Sequence, residues 1–188
     1  MGKRSGKKGN EYSDAVFVGV GGCGINTVSR LSELGITGSK FVLVNKKGDN
    51  HPSSVKGASE LIVDMPLSTR MPLPDKELGA FKSQLSEELK GAGKAYIFAG
   101  LGGSTGTSLA PIAAQTAREM GVEPVIIVTL PFEVERNRCE IARNTLPALR
   151  DIPGQLIVRD NNDLVKECPN LSMKEAFKKF DEKLIGQL

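Results

Sequence analysis

Two glycine-rich segments of this 188-residue chain have residue types that suit phosphate binding. The first, residues 19–26, reads Gly-Val-Gly-Gly-Cys-Gly-Ile-Asn and begins within an apolar run at residues 15–20. Glycine lets the backbone approach an anion, and the free amides at the start of a following helix donate to it. The segment also satisfies the Gly-x-Gly-x-x-Gly fingerprint, which does not separate a dinucleotide from a mononucleotide. A tight strand-to-helix turn without a ligand is the alternative interpretation.

The second segment, residues 100–108, reads Gly-Leu-Gly-Gly-Ser-Thr-Gly-Thr-Ser and follows another apolar run at residues 95–99. Parallel strands present their carboxyl ends together, so both segments are expected at one edge of a sheet. A polyphosphate held from two sides would fit this arrangement. The ordinary dinucleotide-binding fold has one such loop, and the lysine-containing P-loop motif is absent from the sequence.

The pattern along the chain predicts an α/β fold, because apolar runs alternate with segments of helical spacing. Helical spacing first follows the glycines, at Ile25, Val28, Leu31 and Leu34, and Ser172 with Glu175 forms a predicted capping box at the last helix. Strands are predicted at residues 15–20, 41–44, 61–63, 95–99, 124–129 and 155–158, and further helices at 75–90, 107–120, 138–149 and 172–188. These units predict a three-layer Rossmann-like domain with a mainly parallel sheet.

Composition favours one cytoplasmic domain, with 39% hydrophobic and 25% charged residues and a net charge of +3. Residues 1–13 are predicted to be a basic disordered tail and residues 14–188 the folded domain. No apolar run reaches the length of a membrane span. The three cysteines lack metal-site spacing, although Cys139 beside Arg138 could be mildly activated, and the single histidine, His51, is predicted to be a solvated loop residue.

The two glycine segments resemble the tubulin/FtsZ superfamily, whose N-terminal domain binds GTP. Residues 19–26 resemble the first glycine box of FtsZ, and residues 102–108 resemble the tubulin signature loop, usually written GGGTGTG. Residues 129–132 (Thr-Leu-Pro-Phe), followed by Glu135 and Arg138, resemble the FtsZ loop at the ribose and phosphates. Residues 156–181 resemble the segment that contacts guanine.

The resemblance implies a role for individual residues of this chain. Glu135 and Arg138 would lie at the ribose and phosphate edge, and Asn161, Phe177 and Asp181 would read guanine. A carboxylate at Asp181 could accept from both N1–H and the exocyclic amine of guanine, a pattern that adenine lacks. Phe177 could stack on the base or be a plain core residue. The phosphates would be lined by Gly21, Gly22, Cys23, Gly24, Ile25 and Asn26 of the first segment and by Gly102, Gly103, Ser104, Thr105, Gly106 and Thr107 of the second.

Several positions depart from the family pattern. Cys23, Ile25 and Ser104 stand where the family has glycines, and a side chain at 23 or 25 is expected to point away from the phosphates. Lys46 and Lys47 replace the usual Thr-Asp after the second strand. Residues 68–74 do not match the loop that senses the terminal phosphate. The chain also stops before the acidic loop that completes the neighbouring active site in FtsZ, so weak or partner-dependent hydrolysis is expected.

Three functions remain open at this point. The leading one is binding of GTP or GDP, with Mg²⁺ as a candidate co-ligand, by a cell-division or cytoskeletal protein that forms a homo-oligomer or pairs with an FtsZ-like subunit. An NADP-dependent oxidoreductase module is the second, with Lys46 and Lys47 at a 2′-phosphate. A non-binding FtsZ-like scaffold is the third. No catalytic residue or protein metal ligand is assigned, and nucleic acid is not favoured as a partner.

Overall fold

In the computed structural model, residues 12–36, 40–49, 51, 54–67 and 75–188 are described. Within these ranges the chain forms six strands and six helices that alternate along most of its length. The strands are β1 (Ala15–Val20), β2 (Lys40–Lys46), β3 (Ser59–Val63), β4 (Lys94–Gly100), β5 (Glu123–Leu130) and β6 (Gln155–Asp160). The helices are α1 (Gly21–Glu33), α2 (Asp75–Leu89), α3 (Ser104–Glu119), α4 (Arg136–Arg150), α5 (Asn161–Glu167) and α6 (Met173–Ile185).

The strands form one parallel sheet in the order β3-β2-β1-β4-β5-β6. The order reverses between β1 and β4, which is where ligands bind in doubly wound sheets. Val20 at the end of β1 is level with Ala99, and Gly100 is level with Thr129 of β5. The carboxyl ends of β1, β4 and β5 therefore meet at one edge.

Helices cover both faces of the sheet, and the β1 side chains alternate between two apolar clusters. Val16, Val18 and Val20 pack with apolar residues of α2, α3 and α4. Phe17, on the other face, packs with residues of α1 and with Leu184 of α6. Full burial of a side chain such as Phe17 contributes about 1.5–3 kcal/mol, so β1 anchors both layers.

The predicted Rossmann-like α/β class is confirmed, and each strand lies within two residues of its predicted bounds. The predicted capping box is also present, because Ser172 accepts from the Glu175 amide and Glu175 from the Ser172 amide. The extent of the glycine loops differs from the prediction. Helix α1 begins at Gly21, directly after β1, whereas a short turn at residues 101–103 separates β4 from α3, which begins at Ser104. The short helix α5 was not predicted.

Two expectations concern residues that the structure does not describe. They are most of the predicted basic tail, at residues 1–11, and the segment at residues 68–74. In the described part of the chain, the helices are too short or too polar to cross a membrane.

Candidate functional site

A cleft of about 630 Å³ opens at the carboxyl ends of β1, β4 and β5. Both glycine segments, the β5–α4 connection and the start of α5 contribute to its wall. The predicted site residues on the wall are Gly21, Gly22, Cys23, Asn26, Gly103, Ser104, Thr105, Gly106, Glu135, Arg138, Asn161 and Phe177. Gly24, Ile25, Gly102, Thr107 and Asp181 do not line it.

The helices α1 and α3 point their N-termini at this cleft. Val20 and Gly103 occupy the N-cap positions and make no side-chain cap hydrogen bond, and neither first turn contains an acidic residue. An uncapped helix start leaves backbone N–H donors available, and its dipole favours an anion. Ser104 is exposed at the start of α3, where its hydroxyl can add another donor.

Two glycines of α1 allow close packing, Gly21 against the start of α3 and Gly24 against strand β4. Gly21 has a φ of +66°, and an added Cβ there would lie 3.1 Å from the Cβ of Thr105 in α3. At Gly24 an added Cβ would lie 2.1 Å from the Phe98 carbonyl oxygen of β4. Gly24 is therefore needed for packing α1 on the sheet.

Two residues predicted to line the phosphates, Ile25 and Thr107, have buried side chains. The Ile25 side chain is 2% exposed and packs in the core, as expected for a side chain directed away from the cleft. Thr107 is buried, and its hydroxyl accepts from the Gly102 amide at 2.9 Å. These residues shape the two helix starts, and their side chains do not reach the cleft.

The connection from β5 to α4 is held by Glu135. Its carboxylate accepts from the Phe132 amide at 3.1 Å and from Arg138 Nη1 at 2.6 Å. Both Glu135 and Arg138 face the cleft, and the Arg138 side chain is more than half exposed. The guanidinium is thus positioned beside the cleft and open to a ligand.

Asn161 and Phe177 form the opposite end of the cleft. Asn161 opens α5, and its Oδ1 is buried without a hydrogen-bond partner among the described residues. Phe177 is half-buried, and it also packs against the small cluster of Leu164, Cys168 and Ala176. One ring thus packs against the small cluster and lines the cleft wall, and its stacking on a base stays a prediction.

The geometry of Asp181 differs from the predicted direct contact with a base. Its side chain is fully buried, with Oδ2 accepting from Arg30 Nε at 2.5 Å and Oδ1 from Arg159 Nη1 at 2.6 Å. Arg30, not Asp181, reaches the cleft wall. Both arginines were missed by the sequence analysis, although Arg30 lies four residues after Asn26 and so on the same helix face.

Cys23 lies in the first turn of α1, and the His51 side chain lies beside that turn. His51 is an exposed residue outside the helices and strands, as predicted, and it also lines the cleft. Cys23 is exposed on the cleft wall, and desolvation by the protein atoms packed near its thiol raises the pKa of this group. A hydrogen bond with Thr129 opposes the rise. We expect the thiol to be protonated at neutral pH.

Lys46 and Lys47 do not line the cleft, contrary to what an NADP site would need. Lys47 Nζ lies 2.6 Å from an Asp64 carboxylate oxygen, and this bond raises the pKa of Lys47. The main sequence argument for a 2′-phosphate site is therefore lost.

Carboxylates on the cleft wall come from Asp49 and Glu135 in the described part of the chain. The same part contains no group of three or more residues that could hold a metal ion by themselves. Mg²⁺ in nucleotide sites is commonly bound by one or two carboxylates together with substrate phosphates. Two carboxylates would fit a Mg²⁺ ion that takes most of its ligands from a bound phosphate group and water.

The chain forms a doubly wound α/β domain, and two uncapped helix N-termini lie where the strand order of its sheet reverses. Such a place is suited to binding an anionic ligand. The family model described as "Tubulin/FtsZ family, GTPase domain" matches residues 75–169. This match spans half of the chain, and the chain therefore belongs to the tubulin/FtsZ family.

Individual relatives agree with this assignment. The chain is 34% identical over 181 residues to "Cell division protein FtsZ 2" of Methanocaldococcus jannaschii, covering 92% of this chain and 47% of that protein. It is 37% identical over 175 residues to "Cell division protein FtsZ 1" of Pyrococcus furiosus, covering 89% and 47%. A solved FtsZ dimer from M. jannaschii superposes with a TM-score of 0.73 at 31% identity, covering 92% and 52%. The chain spans about half the length of these relatives.

Proposed function

We propose that the cleft binds a guanine nucleotide, GTP or GDP. The observation that carries the proposal is the pair of uncapped helix N-termini, α1 and α3, at one end of a single cleft. This end offers backbone amides and the Ser104 hydroxyl to the phosphates. Arg138 supplies a positive charge beside them.

The other end of the cleft supports binding of a base. Phe177 offers an aromatic face, and Asn161 carries a buried acceptor without a described partner. A purine stacked on the ring could satisfy this acceptor with an N–H group. The nucleotide would therefore lie with its base at α5 and α6 and its phosphates at α1 and α3.

Mg²⁺, when bound, would neutralise phosphate charge, with Asp49 of the cleft wall as a candidate protein ligand. Hydrolysis by this polypeptide alone is proposed to be slow. Glu135 is held by Arg138 and the Phe132 amide, which leaves it poorly suited to activate water. A partner subunit would supply the further acidic groups that hydrolysis needs.

A role in cell division or the cytoskeleton is proposed because the similar proteins are cell division proteins. The partner would be a second copy of this chain or an FtsZ-like subunit, as in the solved FtsZ dimer. Mixing this chain with such a subunit and measuring phosphate release tests both parts of the proposal. A rate no higher than the sum of the separate rates would contradict partner-dependent hydrolysis.

Calorimetric titration with GTP, GDP, ATP and NADPH in magnesium buffer tests nucleotide binding directly. Gly103→Asp is the informative variant, because an added Cβ meets no atom within 4 Å and Asp is a good N-cap residue. It should keep the fold and repel phosphates. Gly79→Asp, with the same charge change on exposed α2, is the matched control.

Binding of guanine nucleotides that is lost in Gly103→Asp and kept in Gly79→Asp is the expected result. Preferred binding of NADPH would favour the oxidoreductase alternative instead. Absence of binding by the unaltered chain would leave the scaffold alternative.

A further inference from the structure

The outer side of helix α4 carries a line of exposed residues, most of them charged. They follow one another at spacings of four and three residues, which places them along one side of an α-helix. We call this line the α4 ridge, and it consists of Arg136, Glu140, Arg143, Pro147 and Arg150, all exposed. Fourteen residues at the rise of an α-helix make the ridge about 21 Å long.

Helix α4 is attached to the domain through a small part of its surface. Of its 15 residues, Ala142 and Leu149 are buried, and helical geometry places both on the side away from the ridge. An isolated helix of this length is marginal in water, so its stability depends on packing. A further contact along the exposed side would therefore stabilise α4.

The charged side chains of the ridge have no ion-pair partner in the part of the chain that the structure describes. Arg136 also stands in the first turn of α4, where the helix dipole disfavours a cation and no acidic residue is present. The cleft does not explain this placement, because Arg138 lines the cleft and Arg136 does not. With three arginines and one glutamate, the ridge fits a surface that offers carboxylates and also a cation for Glu140.

A second copy of the same ridge provides such a surface. In a two-fold symmetric dimer, a contact of residue i with residue j is repeated as a contact of j with i. When two ridges lie antiparallel, with the axis midway between residues 140 and 143, Glu140 of each copy faces Arg143 of the other. The same register places Arg136 opposite Pro147, so two like charges are not directly opposite each other.

We propose that the α4 ridge is an interface at which two copies of this chain associate. The two contacts between Glu140 and Arg143 form its centre, and Arg150 faces the exposed Glu133 that precedes α4 of the other copy. One pair of helices buries less than the about 1,200–2,000 Å² of a stable interface, so the association is weak and sensitive to salt. The ridge residues do not line the cleft, so the association does not depend on nucleotide binding.

Sedimentation velocity of the nucleotide-free chain, over a series of protein concentrations, measures this association. A dimer should form at about 0.01 M salt and dissociate at about 1 M salt, because the screening length falls from about 30 Å to about 3 Å. Arg143→Glu should weaken the dimer at least tenfold, since like charges then face each other twice. Glu140→Arg should have the same effect for the same reason.

Mixing these two variants gives the sharpest measurement. In the mixed dimer, residues 140 and 143 again meet opposite charges on both sides of the axis, so association should return to about the strength of the unaltered chain. Lys178→Glu and Glu182→Arg make the same changes of charge on the exposed side of α6 and are the controls. Each control should associate like the unaltered chain, and circular dichroism should show the same helix content in all variants.

Three results would overturn the proposal. An unaltered chain that stays monomeric at low ionic strength would leave the ridge to an acidic partner of another kind. A dimer that persists in both single variants would place the interface elsewhere. A mixture that associates no better than the separate variants would show that Glu140 and Arg143 do not meet across the axis.

Discussion

An added Cβ at Gly22 would lie 2.6 Å from Cε1 of His51, so the imidazole ring rests against the first turn of α1. No side chain fits at residue 22 unless this ring moves. We therefore expect Gly22→Ala to displace His51 from the cleft wall and to weaken GTP binding about tenfold, within the usual effect of overpacking. Calorimetric titration measures the change.

A double variant separates the clash from other effects of the added methyl group. The double variant Gly22→Ala with His51→Ala lacks the imidazole ring. Most of the GTP affinity that Gly22→Ala loses should therefore be restored. If the two changes instead weaken binding additively, contact between the residues is not the cause.

Gly24→Ala should reduce the free energy of unfolding. A Cβ at this position would lie 2.1 Å from the Phe98 carbonyl oxygen, so α1 and β4 must separate. Overpacking of this kind costs about 1–3 kcal/mol. Urea denaturation followed by circular dichroism gives the difference from the unaltered chain.

Gly79→Ala is the matched control for this prediction. Gly79 is exposed on α2, and an added Cβ there meets no atom within 4 Å. Replacing glycine inside a helix should stabilise the protein by about 0.5–1 kcal/mol. An equal loss of stability in both variants would show that contact with Phe98 is not decisive.

The Cys23 thiol should react slowly with iodoacetamide at mildly alkaline pH. Burial raises its pKa, so less thiolate forms there than on an ordinary cysteine, and the rate should keep rising at higher pH. The folded chain also holds this proton more tightly than the unfolded chain. The stability contribution is therefore present below the ordinary thiol pKa and is lost as pH rises through the folded value.

Mass spectrometry of labelled peptides identifies which thiol reacts. In Cys23→Ser, labelling by iodoacetamide at residue 23 should be absent. The half-buried Cys139 provides an internal comparison. GTP should protect Cys23 and leave Cys139 unaffected. Equal protection of both would contradict a local effect.

The buried ion pairs of Asp181 with Arg30 and Arg159 are expected to contribute to stability. Asp181→Ala leaves two guanidinium groups without their buried carboxylate, and such a change costs about 3–5 kcal/mol. Arg159→Met keeps an apolar chain beside Phe180 and removes Nη2, which lacks a hydrogen-bond partner among the described residues. It also leaves the buried Asp181 charge with Arg30 as its remaining partner, so the loss of stability should be large but smaller than that of Asp181→Ala.

Urea denaturation of both variants and of Arg30→Met measures these effects. Arg30 is more exposed than Arg159, so Arg30→Met should lose less stability than Arg159→Met. If Arg159→Met destabilises as much as Asp181→Ala, the ion pair with Arg159 dominates the cluster.

The strands could be predicted because buried parallel strands appear in sequence as uninterrupted apolar runs, as at Ala15–Val20. The start of α1 could not, because the glycines that open it have low helix propensity and are accommodated there by packing on β4. Helix α5 has seven mostly polar residues, too few to show helical periodicity.

Tertiary packing also explains why the base end was predicted only in part. Asn161 and Phe177 were identified through a family resemblance, and both line the cleft. Arg30 and Asp181 are 151 residues apart in sequence, and local spacing carries no signal of their contact. A carboxylate expected to face a ligand thus turned out to be engaged by two arginines.

Helix α1 carries the cleft residue Gly22 in its first turn and Arg30 near its last. Eight residues at the rise of an α-helix separate these positions by about 12 Å. Both residues line the cleft, and a single helix fixes the distance between them. A ligand that contacts both ends of α1 must therefore extend along the helix, which inorganic phosphate alone is too small to do.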